Sequence, residues 1–76
     1  MWIKVTDEPI PTHGMNGKTF RLWICYREYY GHYTFEKGGS TINAIWDSTN
    51  ECFYETNTML EVDDREIVQW WKELDD

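Results

Sequence analysis

A chain of 76 residues leaves room for one domain, residues 1–76, with one small core, and a domain this size is marginal unless that core is rich. A net charge of −7 argues against direct nucleic-acid binding, which needs cations to displace counterions from phosphate, and against anionic membrane surfaces. The same charge suits a basic protein partner.

The core is expected to be aromatic. The chain has five tryptophans, five tyrosines and three phenylalanines, and each buried ring removes roughly 150–250 Å² from water. About six or seven such buried rings would hold a small sheet together without metal or disulfide. Cys25 and Cys52 stand far apart, and "MWIKVTDEPIP" lacks the basic-then-apolar pattern of a signal peptide. No apolar stretch approaches the ~20 residues of a membrane span. The expectation is a cytoplasmic protein with both thiols free.

In chain order, "WIKV" is a short strand candidate ended by Pro9 and Pro11, which lack amide donors. "THGMNGK" is a loop. "FRLWICYRE" is the clearest strand: Phe20, Leu22, Ile24 and Tyr26 alternate onto one face, with Arg21, Trp23, Cys25 and Arg27 on the other. "EYYGHYTFE" supplies a turn near Gly31 and a second strand through Phe35, and "KGGS" reads as a further break. "TINAIWD" and "ECFYE" form a hairpin joined by "STN", with Ile42, Ala44 and Trp46 on one face of its first arm. "TNTMLEVDD" is a connection with a short strand at "MLEV".

The closing "EIVQWWKELDD" has two readings. Ile67, Val68, Trp70, Trp71 and Leu74 fit the stripe of an amphipathic helix, with Asp63 as N-cap and Glu66 completing a capping box. As a strand, the segment sends Val68 and Trp70 one way and Ile67 and Trp71 the other. Both readings bury Trp70. The expected fold is α+β and β-dominated: a small antiparallel sheet of about four strands, closed by a strand or a short helix.

With these segments in place, the whole chain resembles a family of small phage and prophage proteins classed as a domain of unknown function. Trp2, Ile3, Val5, Pro9 and Pro11 of "WIKVTDEPIP" match its opening, "RLWICY" stands at its main strand, and "AIWD" with "CFYE" stands at its aromatic strand pair. "IVQWWKEL" corresponds to its closing "V-x-H-W-M-P-L-P", with Trp70 on the family tryptophan, Gln69 at the usual histidine and the final prolines missing. The resemblance implies a phage or prophage origin and a strand for the closing segment. It brings no activity with it.

Charge is distributed unevenly. Residues 1–46 carry a net +1 and residues 47–76 a net −8. Glu55, Glu61, Asp63, Asp64 and Glu66 form a dense cluster. It reads as a docking surface for a basic site on a host protein, such as one that normally holds nucleic acid, or as a solvated face that keeps an aromatic-rich protein soluble. The stretch "CYREYYGHYTF" offers Arg27, Tyr29, Tyr30 and Tyr33 as an alternative face for a small ligand or nucleotide. Its plainer reading is a hairpin stabilised by cross-strand aromatic pairs. A structural homodimer through exposed aromatics is a third reading.

No metal or cofactor is expected. His13, His32, Cys25 and Cys52 lack the paired spacing of a zinc site, and Asp47, Asn50 and Glu51 of "DSTNE" lack the glycine and terminal glutamate of a calcium loop. No Ser, Cys or Thr carries the signature of an activated nucleophile. Asp63 and Asp64 read as exposed and both ionised, which gives no separated acid–base pair. "GMNG" and "KGGS" are too short for a phosphate loop. The expected mode of action is binding, not chemistry.

Overall fold

The structure, a computed structural model, describes residues 1–30 and 33–73, including the side chains of all of these except 26–30 and 33–37. Among the described residues six strands follow in order: β1 Trp2–Lys4, β2 Thr19–Tyr30, β3 Tyr33–Asp47, β4 Cys52–Glu55, β5 Glu61–Val62 and β6 Ile67–Trp71. They form one antiparallel sheet in the order β1-β6-β2-β3-β4-β5. Six strands replace the expected four because each edge carries a very short one. β1 pairs with the closing strand, and β5 pairs with β4 at only Phe53–Val62 and Tyr54–Glu61.

Of the two readings of the closing segment the strand holds, as β6, and no α-helix occurs among the described residues. Asp63 does act as an N-cap, but of a single 3-10 turn, Asp64–Glu66, after which the chain turns extended into β6. Trp70 is 4% exposed. Trp71 is half-buried on the opposite face, as the strand reading had it. One detail of that reading is corrected: Ile67, not Val68, shares the core with Trp70. Trp23 pairs with Gln69 and Ile24 with Ile67, so β6 takes two steps where β2 takes one. This β-bulge puts residues three apart on one face, which is why the pattern looked helical.

A second bulge corrects the break expected at "KGGS". β3 runs without interruption from Tyr33 to Asp47. Cys25 pairs with Gly39 and Arg27 with Glu36, so β3 holds one extra residue there. Gly38 takes φ +100°, a conformation that favours glycine. Gly39 serves a different need. A Cβ at that position would lie 2.6 Å from the Ile24 carbonyl oxygen and 2.8 Å from Trp23 Nε1, so the missing side chain makes room for the indole. The turn expected near Gly31 lies outside the described residues.

The core lies on one face of the sheet. Phe20, Leu22 and Ile24 of β2 meet Ala44, Phe53, Val62, Ile67 and Trp70, and Leu22 is fully buried. The Phe20 and Phe53 rings meet edge to face at 5.7 Å. The 5–18 segment covers this face with Val5, Ile10 and Met15. Trp70 ties the cover down, because its indole Nε1–H donates to the Glu8 carbonyl oxygen at 2.9 Å. Beside it, Lys72 Nζ reaches Glu8 Oε1 at 3.2 Å.

Cys25 and Cys52 are free thiols on non-adjacent strands. Their partners on β3, Gly39 and Asp47, are eight residues apart, or about 26 Å along a strand. A disulfide needs Cα atoms within about 7 Å, so this fold forbids one.

Candidate functional site

The acidic stretch builds three turns, and an acid closes each of them. Asp47 Oδ1 accepts the Thr49 and Asn50 amides at 2.9 and 3.3 Å between β3 and β4. Glu55 Oε2 accepts the Asn57 and Thr58 amides at 3.0 and 2.7 Å and the Thr58 hydroxyl at 2.8 Å. Asp63 Oδ1 accepts the Arg65 amide at 3.0 Å, and Asp63 Oδ2 meets Arg65 Nη2 at 2.8 Å. These are side-chain caps of turns, a role that short acidic side chains commonly fill. They also set the acidity of Glu55 and Asp63. The Thr58 hydroxyl, then the Thr58 and Asn57 amides, holds the Glu55 carboxyl below its ordinary value. The Arg65 side chain and amide bring Asp63 to about 2.

The five acids of the expected docking surface therefore divide. Glu55 and Asp63 are engaged in the turns. Glu61, Asp64 and Glu66 make no side-chain hydrogen bond or ion pair among the described residues. Glu61 and Glu66 lie on a groove of about 520 Å³ beside β3, within the range of ~300–1,000 Å³ common for ligand clefts. Its apolar lining comes from Ile24, Ile42, Leu60 and Val62, and its acidic lining from Glu55, Glu61, Asp63 and Glu66. Asp64 is not in that lining: it borders a hollow of about 200 Å³ with Val5, Ile10, Phe53 and Ile67, and another of about 470 Å³ with Glu61, Val62, Asp63 and Arg65. Four of the five expected acids thus share one concave surface. Leu60 in this lining is 68% exposed.

Arg27, Tyr29, Tyr30 and Tyr33 lie on the outer part of the β2–β3 hairpin. Backbone pairing sets Arg27 against Glu36, Tyr29 against Thr34 and Tyr30 against Tyr33. The side chains of these four residues lie outside the described residues, so the alternative ligand face does too.

Sequence reasoning missed a second feature, on the sheet face away from the core. The Trp2 ring meets Trp71 at 5.4 Å and Trp23 at 6.2 Å, both edge to face, and the Arg21 guanidinium lies 5.7 Å from the Trp71 ring centre. Trp2 and Trp71 are direct cross-strand partners. Such pairs stabilise a sheet whatever else they do. The signal that could have found them was the pairing of β1 with β6, which joins the two ends of the chain and is invisible to local periodicity.

No group of three or more His, Cys, Asp or Glu side chains able to hold a metal occurs among the described residues. No helix among them is long and apolar enough to cross a membrane. No protein-family model, curated protein or solved structure matches the chain.

Proposed function

We propose that the protein acts by binding: it is a phage-derived accessory protein that occupies and blocks a basic surface on a host protein in the bacterial cytoplasm. The blocked surface is one that handles nucleic acid or serves defence, and the acidic C-terminal half stands in for the polyanion it normally meets. The observation that carries this reading is the groove beside β3. An apolar lining of Ile24, Ile42, Leu60 and Val62 accepts the aliphatic stem of a lysine or arginine, and the carboxylates of Glu61 and Glu66 meet the charged end. Neither carboxylate has a partner within the described chain. The phage origin rests on the resemblance of the opening, main-strand, aromatic-pair and closing segments.

The test is capture from a bacterial lysate at low and high salt, with parent protein and with Glu61→Gln/Glu66→Gln. A partner held by the groove is captured by the parent at low salt, released as salt rises, and lost with the double variant. A partner captured equally by both proteins removes the groove from the interaction.

A further inference from the structure

We propose that the occupant of this groove is an extended basic segment of the partner, added as a strand to the open edge of β3. This rests on the groove reading above and specifies its binding mode. β3 spans Tyr33–Asp47, yet β4 pairs only with Ala44–Asp47. The last contact on that side is the Thr56 amide donating to the Asn43 carbonyl oxygen at 3.0 Å. Backbone direction alternates along the strand. Trp46 bonds Gly17 and Lys18 on the β2 side, whereas Asn43 faces the β4 side. By that alternation Thr41 and Gly39 direct their backbone groups to the edge where no strand lies among the described residues.

Edges are usually blunted by charge, proline or a bulge. Beyond the bulge that ends at Gly39, "STIN", residues 40–43, carries none of these. Gly39 and Thr41 are exposed, while Ile42 between β2 and the edge lines the acidic groove. A strand added here gains main-chain hydrogen bonds from β3 and sets alternate side chains over the groove. The free carboxylates there select basic ones. A second copy fits less well, because its own residues 38–43 carry no cation to meet Glu61 and Glu66.

The test uses an acetylated, amidated six-residue peptide alternating lysine and valine, and the same peptide N-methylated at alternate backbone amides. Binding is measured by calorimetry with the parent, Thr41→Pro and Glu61→Gln/Glu66→Gln. Thr41→Pro removes an N–H that points away from β2, a place where proline is tolerated. We expect the parent to bind the plain peptide. Methylation and Thr41→Pro should each weaken binding about tenfold or more, and the charge variant should weaken it and flatten its salt dependence. If the methylated peptide binds the parent as well as the plain one does, strand addition is wrong while the groove reading survives; this holds even if Thr41→Pro fails to fold. If the charge variant binds both peptides unchanged, the groove reading itself falls. Binding of neither peptide by the parent overturns both. Sedimentation that shows a parent dimer lost in Thr41→Pro assigns the edge to a second copy and overturns the proposed occupant.

Discussion

Trp70 and Trp71 stand side by side and do different work. Trp70 packs with Leu22 and Ile67 in the core and closes the 5–18 cover through Glu8. Trp71 is half-buried outside, between Trp2 and Arg21. Trp70→Ala should cost roughly 3–5 kcal/mol, a large share of the stability of a domain this small. Trp71→Ala should cost clearly less, and urea denaturation of both variants reads the difference. Trp70→Phe keeps most of the packing but leaves the Glu8 carbonyl without its donor, so it should fall between the two. Asp63 makes a separate prediction at this scale. Its carboxyl is held at about 2 by Arg65, below the unfolded value of about 3.9. A depressed carboxylate contributes stability that is present above the unfolded value and lost as pH falls through the folded one. Melting temperature should therefore drop between about pH 4 and pH 2, and Asp63→Asn should make that part of the drop shallower. An unchanged slope in the variant would mean that the Asp63–Arg65 pair does not form in solution.

Two β-bulges shape the elements, and both hide from a reading by alternation. The central strands were legible because Phe20, Leu22 and Ile24 keep a strict period of two, as do Ile42, Ala44 and Trp46. At β6 the bulge lets Ile67 and Trp70 face the core three residues apart, a spacing that local pattern assigns to a helix. At "KGGS" two glycines looked like punctuation, whereas the chain uses one for conformation and the other for space. The acidic cluster was legible as charge. That Glu55 and Asp63 would be drawn into turns was not, since it depends on where β4 and β5 end. The short edge strands were legible at "WIKV" and "MLEV"; their pairing with β6 and β4 was not, since it joins segments that local pattern does not connect. The glycine pair gives the test at this scale. Gly38→Ala meets no atom within 4 Å but keeps an unfavourable φ, so it should cost about 1–3 kcal/mol of strain and leave the tryptophan spectrum alone. Gly39→Ala places its Cβ against Trp23 and the Ile24 carbonyl. It should lower stability and also shift the tryptophan fluorescence and near-ultraviolet dichroism, because the Trp23 indole has to move from its place beside Trp2. Matching spectra for the two variants would contradict the role assigned to Gly39.

Across the whole molecule, charge and packing are separated. Apolar side chains of β2, β3 and β6 hold the sheet to the 5–18 cover, and most of the negative charge sits in the later half of the chain, where it contributes little packing. A protein arranged this way repels itself in the folded state, since residues 47–76 carry ten acids against only Arg65 and Lys72. Reversing Glu61, Asp64 and Glu66 to lysine adds two positive charges at each position, which takes the net charge from −7 to −1. Asp63 is left alone because it caps the turn before β6. The folded state should keep its melting temperature or gain some, and the gain should shrink as added salt screens the parent's own repulsion. Asp63→Lys should instead lower the melting temperature at every salt concentration, because it removes a cap and places like charge against Arg65. The same triple variant should lose any partner that the acidic half recruits, so one protein separates the two roles of the charge. Retained stability with lost binding assigns Glu61, Asp64 and Glu66 to recognition. Retained stability with retained binding assigns them to solubility, and a large loss of stability would show that the three acids belong to the fold itself.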